Sequence, residues 1–517
     1  MAEPFYITTA IAYPNGKPHI GHAYEAIAAD VIARFQRMNG RDVRLVTGTD
    51  EHGLKMDQTA RNAGRDTLEF ATEMSNYFRD MCDKLNISYD EFCRTTETNH
   101  KEASATLWKA MEANGDLYLD RYEGWYSIRD EAFYAEDELI EGEGGLKLSP
   151  QNTPVEWTVE ESWFFRLSKY RDFLIELNET AGFLEPESRR NEVLGFLKGQ
   201  DLRDLSVSRT SFDWGVPVPG SDGHVMYVWV DALTTYLTGV GYPDNHEMFE
   251  RYWPANLHLI GKDIVRFHAV YWPAFLQSAG LPVPQKIFGH GFLLHRGEKM
   301  SKSLGNVVDP LELADRYGVD QLRYFLLREV SFGQDGSYSA EAIVTRCNAE
   351  LANSFGNLAQ RVLSFIAKNC DGGFTATAPV EPADVVLRER VNKACSQELP
   401  EAFERLALSV GLESWIQAVF ACNAYIDEQA PWALRKTDPE RMQRVLATLC
   451  GCIRDLAIAV SPVTPAATAK ILDALCIPAD ARDLAALAQD PALAAIRVDN
   501  PTPAFPRLEM PTDGDDA

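Results

Sequence analysis

The sequence predicts an α/β protein in which a parallel-sheet domain is interrupted by an insertion and followed by a bundle of helices. Three observations support this fold class. A β-prone run, a helical pattern and a second β-prone run follow one another in residues 5–48. Residues 117–225 are instead rich in Tyr, Trp, Gly and acidic residues, and residues 340–496 keep a helical apolar spacing. A strand–helix–strand unit of this length implies parallel strands.

The first such unit lies at the start of the chain. Its first strand is predicted at residues 5–12, where β-prone apolar residues are frequent. Tyr13-Pro14-Asn15-Gly16 is typical of a turn. A helical pattern then covers residues 20–38 and ends before Asn39-Gly40, and a second strand is predicted at residues 43–48.

The alternation of strands and helices resumes after the insertion. The runs Met226–Asp231 and Leu257–Asp263 are β-prone, and a helical stretch extends from Ile264 to about Ser278. The predicted division of the chain is a sheet domain in two halves at 1–116 and 226–294, an insertion at 117–225, a connecting region at 295–352, a helical domain at 353–500 and a poorly ordered tail at 501–517.

Composition indicates a globular protein without a membrane segment. Of the 517 residues, 45% are hydrophobic and 24% charged, and no apolar run reaches the roughly 18 residues of a membrane span. The first six residues lack the basic flank and apolar core of a signal peptide, so we expect a cytoplasmic location. The net charge of −26 disfavours nucleic acid as a partner, although a whole-chain average does not describe a local basic face.

The nine cysteines are dispersed and form no Cys-x-x-Cys pair, which is typical of reduced, buried thiols. A structural zinc ion needs about four Cys or His ligands. No cysteine lies between Cys93 and Cys347, and His100 and His224 are too few and too distant in sequence to replace them. We therefore expect no metal site in the insertion.

Residues 13–22 are the first candidate site, because they follow the first strand and open the first helix. A helix N-terminus presents unpaired N–H groups and a positive dipole end, and both attract phosphate. Gly21 allows a flat group to approach the backbone. His19 and His22 are three residues apart, share a helix face and can donate hydrogen bonds to phosphate oxygens. The alternative is a pair of incidental surface histidines.

The second candidate site is a polar stretch in the middle of the chain, Lys299-Met300-Ser301-Lys302-Ser303, followed by Gly305-Asn306. Its two ammonium groups can neutralise the charge that develops on a leaving pyrophosphate. Taken alone, the stretch is more simply interpreted as a solvated loop.

Together, in this order around one sheet domain, the two stretches resemble the ATP motifs of the class I aminoacyl-tRNA synthetases. Within that class, residues from about 5 to 470 are similar to the methionyl-tRNA synthetase family. The further motifs that carry the resemblance are Thr47–Gly53, Tyr227–Ala232, Gly261–His268, Tyr271–Ala274 and Gln429–Trp432.

The resemblance implies a Rossmann-like catalytic domain split by a connective insertion, a stem-contact region and a helical anticodon-binding domain. The implied reaction forms methionyl-adenylate from L-methionine and ATP, and then transfers methionine to elongator and initiator tRNA(Met). Magnesium is expected with ATP, held largely by the phosphates. A monomer is expected, because the chain stops soon after the helical domain. Many members of the family carry a zinc knuckle, whose cysteines are absent from this insertion.

The resemblance also implies site residues. Catalytic roles are expected for His19, His22, Lys299 and Lys302, and ATP-binding roles for Gly21, Lys299, Ser301, Lys302 and Ser303. A methionine pocket is expected from Ala10, Ile11, Tyr13, Asp50, Trp229, Ala232, Leu233, Tyr236, Ile264, Phe267, His268 and Trp272. An anticodon contact is expected from Asn353, Asn357, Arg361 and Trp432. Aromatic, apolar walls suit a thioether, whose sulfur accepts hydrogen bonds only weakly.

Four other interpretations remain at this stage. The aromatic residues of the pocket can be ordinary core, and the anticodon set can be helix surface with one packed tryptophan. A nucleotidyltransferase with a similar His-x-Gly-His motif is disfavoured by the long helical region. A scaffold or RNA-binding protein that has lost catalysis is disfavoured by the intact histidines and lysines of both motifs.

Overall fold

A six-stranded parallel sheet lies at the centre of the N-terminal part of the protein. The computed structural model describes residues 2–129, 132–199, 201–295, 298–299, 308–488 and 495–510. The strands are β1 Pro4–Thr9, β2 Asp42–Thr49, β3 Glu91–Arg94, β4 Leu117–Ser127, β5 Ala132–Tyr134, β6 Ile140–Glu141, β7 Lys147–Leu148, β8 Glu156–Phe165, β9 Leu184–Glu185, β10 Leu205–Ser206, β11 Ser208–Arg209, β12 Val225–Met226, β13 Leu257–Gly261, β14 Ile287–His290, β15 Leu293–His295, β16 Glu298–Lys299, β17 Gly336–Tyr338, β18 Gly373–Thr375 and β19 Ala495–Arg497.

Helices cover the sheet and form the C-terminal part. They are α1 Ile20–Met38, α2 Leu54–Asn62, α3 Thr67–Lys84, α4 Thr98–Ala113, α5 Arg171–Glu179, α6 Glu187–Gly199, α7 Val228–Thr238, α8 His246–Tyr252, α9 Trp272–Ser278, α10 Pro310–Tyr317, α11 Val319–Glu329, α12 Ala340–Arg346, α13 Asn357–Asn369, α14 Pro382–Lys393, α15 Leu399–Glu404, α16 Leu408–Gln429, α17 Pro431–Thr437, α18 Pro439–Val460, α19 Pro465–Ala474 and α20 Leu484–Ala488. The segments Phe267–Tyr271, Cys347–Gly356 and Ala394–Glu398 are π-helical.

The parallel sheet has the strand order β3-β2-β1-β13-β14-β9. All neighbouring strands run parallel, and Ile7 of β1 pairs with Leu45 on one side and Leu257 on the other. The chain leaves β1 through α1 to reach β2, whereas β13 lies on the opposite side of β1. This reversal of order opens a crevice at the carboxyl ends of β1 and β13, where α/β proteins bind ligands.

Both faces of the sheet are covered, as parallel sheets require. Phe5 and Ile7 pack into the core that contains α1, whereas Tyr6 points to the other face and belongs to the core that contains α7 and α9. The Tyr6 hydroxyl donates to the main-chain oxygen of Tyr236 at 2.7 Å. The alternation of side chains along β1 therefore decides which layer each residue joins.

The predicted strand–helix–strand unit is confirmed by β1, α1 and β2, and α1 has the predicted bounds. The strand predicted at Met226–Asp231 is wrong, because β12 is a two-residue strand that pairs antiparallel with β11 and helix α7 begins at Val228. Residues 230–238 of α7 are all buried. Burial on every side of the helix produces an apolar run without helical periodicity, and tertiary packing overrides the β-propensity of valine and tryptophan.

The insertion contains an antiparallel sheet with the order β10-β8-β4-β5. Strands β4 and β8 form its long central pair, from Leu117 opposite Phe165 to Tyr126 opposite Glu156. The short strand β9 pairs parallel with β14, so this part of the insertion extends the central sheet by one edge strand.

The C-terminal helices confirm the predicted helical region, which also contains the antiparallel pair β18–β19. Phe505 is buried against Phe355, and the main chain of Leu508 exchanges two hydrogen bonds with the Asn348 side chain. Residues 501–510 therefore pack onto the helices, which differs from the expected poorly ordered tail. Residues 511–517 lie outside the described part of the chain.

One fully buried arginine connects the sheet domain to the helices. Arg323 of α11 donates to Asp30 of α1 at 2.5 Å and to the main-chain oxygens of Leu85 at 3.1 Å and Val463 at 3.0 Å. A buried charge is tolerated only when it is paired and hydrogen-bonded, as this guanidinium is.

Within the residues that the structure describes, no helix combines the length and the apolarity needed to cross a membrane.

Candidate active site

A cavity of about 460 Å³ opens at the carboxyl ends of β1 and β13. Its lining comes from the end of β1, the first turns of α1, the end of β2, helix α7 and the residues that follow β13 and β14. The cavity therefore lies at the position where the strand order reverses, which is the expected ligand site of an open parallel sheet.

His19 and His22 lie at the start of α1 and line this cavity. His19 caps the helix, because its Nδ1 accepts the Gly21 main-chain N–H at 3.1 Å, and His22 Nδ1 accepts the His19 N–H at 3.1 Å. A main-chain N–H can only donate, so the proton of each neutral ring must be on Nε2. The two rings stack with centroids 3.8 Å apart. The helix start thus carries two imidazole N–H groups that can donate to phosphate oxygens.

Gly21 is needed for this arrangement. A Cβ atom at position 21 would lie 2.9 Å from Cε1 of His19. A side chain there would displace the imidazole from its capping position. Gly21 therefore leaves room for the His19 ring in its capping position, and it also allows the close approach of a ligand to the backbone that the sequence predicted.

The opposite side of the cavity is largely aromatic and apolar. Ten of the twelve residues predicted to bind methionine line the cavity: Ala10, Ile11, Tyr13, Asp50, Trp229, Ala232, Leu233, Tyr236, Ile264 and His268. We name six of them the aromatic wall: Tyr13, Trp229, Leu233, Tyr236, Ile264 and His268.

Phe267 and Trp272, which were also predicted to line the pocket, lie behind the aromatic wall. Phe267 stacks on Trp229 with centroids 3.8 Å apart. Trp272 is fully buried, and its indole N–H donates to His258 Nε2 at 3.3 Å. The π-helical turn Phe267–Tyr271 precedes α9, and its wider turn changes which side chains share a face.

Tyr236 and His268 form the polar part of the aromatic wall. His268 Nδ1 lies 2.9 Å from the Ile264 main-chain oxygen, which can only accept, so His268 donates from Nδ1. Its Nε2 therefore accepts a hydrogen bond from the Tyr236 hydroxyl, with 2.6 Å between the oxygen and the nitrogen. Burial lowers the pKa of His268 to about 4 and raises the pKa of Tyr236 well above its usual value. Both groups are neutral near pH 7, so the wall suits an uncharged side chain.

Asp50 places one carboxylate beside this neutral wall. It follows β2, lines the cavity and is buried, and its main-chain N–H donates to the Ala12 oxygen at 2.8 Å. The next residue, Glu51, is turned away from the cavity and pairs with Arg94 at 2.6 Å. An acidic group at this position can pair with a ligand cation.

Several residues that line the cavity were missed by the interpretation of the sequence, among them Glu25, Asp263 and His290. Glu25 of α1 pairs with Nε2 of His290 at 2.8 Å, and Asp263 follows β13. Glu25 lies three residues after His22 on the same helix face, which is a signal that could have identified it. His290 offered no comparable signal, because it lies at the end of a strand that packing with β13 places at the cavity.

The second predicted motif is described only at its beginning. Lys299 lies in β16, which pairs antiparallel with β15, and Leu293 at the start of β15 lines the cavity. The side chain of Lys299 and all of Ser301, Lys302 and Ser303 lie outside the described part of the structure. Lys299 pairs with Leu294, the residue after Leu293, so the antiparallel hairpin returns the backbone toward the end of β15 that lines the cavity.

The predicted anticodon residues lie on the outside of the C-terminal helices, and we name them the exposed helical face. Asn353 and Asn357 are exposed, and Trp432 is 45% exposed. The Arg361 guanidinium lies 5.1 Å from the Trp432 ring centroid and pairs with Asp427 at 2.8 Å. The structure thus brings Arg361 and Trp432 together on this face.

Comparison with known proteins identifies the family. The model of the class I (M) tRNA synthetases matches residues 5–363, and that of the anticodon binding domain of methionyl tRNA ligase matches residues 400–500. The methionine–tRNA ligase of Brucella suis is 55% identical over 98% of both chains. That of Mycobacterium tuberculosis is 52% identical, over 98% of this chain and 99% of its own.

Solved structures agree with these matches. The Mycobacterium tuberculosis methionyl-tRNA synthetase in complex with methionyl-adenylate has a TM-score of 0.94 and 52% identity, over 98% of this chain and 100% of its own. The free form of that enzyme has a TM-score of 0.88 and 49% identity, over 99% of each chain. Fold, motifs and sequence therefore agree along nearly the whole chain, and the chain belongs to the methionyl-tRNA synthetases of class I, which are methionine–tRNA ligases.

Proposed function

We propose that this ligase activates methionine within the cavity between the aromatic wall and the start of α1, before it transfers methionine to tRNA(Met). The observation that supports this arrangement is the pairing of two contrasting surfaces in one cavity. A neutral wall with one carboxylate faces a helix N-terminus with two imidazole N–H donors. The first suits an uncharged side chain with a cationic amine, and the second suits the phosphates of ATP.

Methionine binds with its thioether against the aromatic wall and its α-ammonium group on Asp50. Sulfur makes favourable contacts with aromatic rings but accepts hydrogen bonds weakly, so a wall of neutral groups favours it. Asp50 is buried, and a charged hydrogen bond to the ammonium group satisfies this carboxylate in a low-dielectric site. Ala10, Ile11 and Ala232 complete the contact surface, and Phe267 and Trp272 hold the wall from behind.

Adenylation is a displacement at phosphorus. The methionine carboxylate attacks the α-phosphorus of ATP, an oxygen–phosphorus bond forms, and the bond to the leaving pyrophosphate breaks. No protein nucleophile is required, so the protein contributes positioning and charge stabilisation. His19 and His22 donate from Nε2 to phosphate oxygens, Gly21 permits the close approach, and Lys299, Lys302, Ser301 and Ser303 bind the pyrophosphate part.

Magnesium accompanies ATP in this proposal. Among the residues that the structure describes, no group of three or more His, Cys, Asp or Glu side chains could hold a metal ion. A magnesium ion held mainly by phosphate oxygens and water needs no such cage, and it neutralises charge on the transferred group. The expectation that the insertion binds no zinc stays a prediction. Measurement of the zinc content of the purified protein tests it. One zinc ion per chain would contradict it.

The exposed helical face supplies the tRNA contact in this proposal. Trp432 offers a ring for base stacking, and Asn353, Asn357 and Arg361 offer hydrogen-bonding groups for the edges of a CAU anticodon. The same anticodon occurs in elongator and initiator tRNA(Met), so both are proposed substrates. We further propose a monomer in the cytoplasm, with the domain boundaries predicted from the sequence.

Amino-acid-dependent exchange of pyrophosphate into ATP tests the activation step. Exchange should depend on methionine, and equal exchange with leucine or isoleucine would contradict the proposed pocket. Lys302→Ala should depress the exchange rate much more than it weakens methionine binding. An unchanged rate would remove the proposed role of Lys302.

A further inference from the structure

A buried carboxylate between two histidines lies behind the cavity. Asp231 Oδ2 is 2.6 Å from His52 Nδ1, and Asp231 Oδ1 is 2.6 Å from His100 Nε2. All three residues are at most 3% exposed, and none of them lines the cavity. The ligands of the proposed reaction therefore do not touch this cluster, which we name the His–Asp–His cluster.

The cluster joins three separate parts of the sheet domain. Asp231 lies in the first turn of α7, His100 lies in α4, and His52 follows β2. The sequence separations are 131 residues between His100 and Asp231 and 179 residues between His52 and Asp231. These contacts therefore hold elements together that the local chain does not connect.

Two of these elements carry residues that line the cavity. In α7, Asp231 lies two residues after Trp229 and directly before Ala232, and His52 is two residues from Asp50. The hydrogen bond between His52 and Asp231 thus connects the segment that carries Asp50 to α7, the helix that carries Trp229, Leu233 and Tyr236 of the aromatic wall.

The residues around Asp50 are fixed from several directions. The Asp50 main-chain N–H donates to Ala12, and the Glu51 side chain pairs with Arg94. The Glu51 main-chain oxygen accepts the Trp214 indole N–H at 2.7 Å. These contacts hold Asp50 against β1, β3 and the insertion, whereas the His52 side chain holds the same segment against α7.

The chemistry of the cluster makes it rigid. A carboxylate only accepts, so His52 donates from Nδ1 and His100 from Nε2. Burial alone raises the pKa of Asp231, but His52 and His100 together hold it below its usual range, so the carboxylate is ionised. A buried charge is costly when a partner is lost, so breaking either hydrogen bond is unfavourable.

We propose that Asp231 is a positioning residue that, through His52, fixes the distance between Asp50 and the aromatic wall and so sets how strongly the site recognises the α-ammonium group of methionine. The inference rests on the proposed role of Asp50. A purely structural cluster would affect the free energy of unfolding alone. A positioning cluster also changes the selectivity for an ammonium-bearing ligand.

The test measures dissociation constants by calorimetry for L-methionine and for the analogue in which hydrogen replaces the α-amino group. Their ratio reports ammonium recognition. Asp231→Asn keeps the side-chain volume but replaces one accepting oxygen by an N–H donor. We expect it to reduce the ratio about tenfold, because methionine binds more weakly while the analogue binds within about twofold of wild type.

A pair of variants at His52 provides an independent measurement. His52→Asn keeps an N–H donor near the position of Nδ1, whereas His52→Leu removes it. The ratio should fall about tenfold in His52→Leu and stay within about threefold of wild type in His52→Asn. If Asp231→Asn does not fold, this pair decides the question.

Two controls separate the possible failures. Asp50→Asn should abolish ammonium recognition, and an unchanged ratio there would overturn the proposed role of Asp50. If Asp50→Asn abolishes it but Asp231→Asn and His52→Leu leave the ratio unchanged, the positioning role is wrong and the role of Asp50 stands. Asp384→Asn removes an equally buried carboxylate that pairs with Arg441 in the helical region. An equal loss of selectivity in that variant would attribute the effect to general destabilisation.

Discussion

The aromatic wall and the exposed helical face present their side chains to a ligand in different ways. In the wall, Tyr236 and His268 are buried, and their hydrogen bonds to each other and to Ile264 are complete before any ligand binds. On the helical face, Asn357 is exposed and Trp432 is 45% exposed. The wall can therefore select by shape and neutrality, whereas the face can offer adaptable contacts to flexible bases.

The difference teaches where a substitution has its effect. A change in the wall or beside it leaves buried groups without partners, which is costly. A substitution on the exposed helical face leaves its neighbours hydrated by water, so it removes only the contact to the bound tRNA. Activation and tRNA recognition should consequently respond to different substitutions and with different magnitudes.

Asp50→Asn should have the largest effect. Loss of the charged partner of the α-ammonium group should reduce kcat/KM for methionine in pyrophosphate exchange about a thousandfold, or about 4 kcal/mol. The midpoint of thermal unfolding provides the control for folding. A reduction of less than about tenfold in a folded variant would contradict the ion pair.

The pH dependence of stability tests the neutrality of the aromatic wall. The pKa of His268 is lowered from 6.5 to about 4, so below pH 6.5 the unfolded chain binds a proton that the folded protein excludes. Stability from this group is complete above pH 6.5 and decreases by about 3 kcal/mol as the pH falls to 4. Urea unfolding of wild type and His268→Gln between these pH values measures it. If the free energy of unfolding of the two proteins depends on pH in the same way, the lowered pKa of His268 is wrong.

Trp432→Ala should affect tRNA without affecting activation. Loss of one stacked base costs about 2 kcal/mol, so kcat/KM for tRNA should fall about thirtyfold while methionine-dependent pyrophosphate exchange is unchanged. Phe420→Ala is a matched control, because Phe420 is another exposed aromatic residue of the C-terminal helices, at 41%. A similar loss in both variants would show that general surface changes explain the effect.

Asn357→Ala should have the smallest effect. One hydrogen bond to a base edge contributes about 1 kcal/mol, so kcat/KM for tRNA should fall about fivefold. Transcripts with an altered anticodon base sharpen this measurement. If Asn357 contacts the anticodon, Asn357→Ala should lower kcat/KM less for the altered transcript than for the native one. An equal decrease in kcat/KM for both transcripts would show that Asn357 does not contact the altered base.

The parts of the fold that the sequence predicted are those with a strong local pattern. Helix α1 has an apolar periodicity and Asn39-Gly40 at its end, and its bounds were predicted. Helix α7 was taken for a strand, because its residues are buried on all sides and the run carries no period. Burial of that kind depends on the sheet and the insertion together, which no local window contains.

The site shows the same division. The position of His19 and His22 at the cavity could be predicted, because a short motif at a strand–helix junction carries its own physical reason, whereas their catalytic role stays a prediction. The resemblance to the family placed Phe267 and Trp272 in the lining, whereas in the structure Phe267 stacks on Trp229 and Trp272 is fully buried against His258. The His–Asp–His cluster had no signal in the sequence, because its members come together only through the packing of α4 and α7 on the sheet.

Arg323 ties the helix that opens at the cavity to the C-terminal helices. Helix α1 begins at the cavity with His19 and His22, and Asp30 in its middle pairs with Arg323. The same guanidinium binds the main-chain oxygens of Pro462 and Val463, directly after α18. The helix that carries His19 and His22 at its start is therefore tied through Asp30 and Arg323 to the residues that follow α18. A displacement of the residues after α18 relative to α1 would have to break these hydrogen bonds and leave a buried charge without its partners, which is strongly unfavourable.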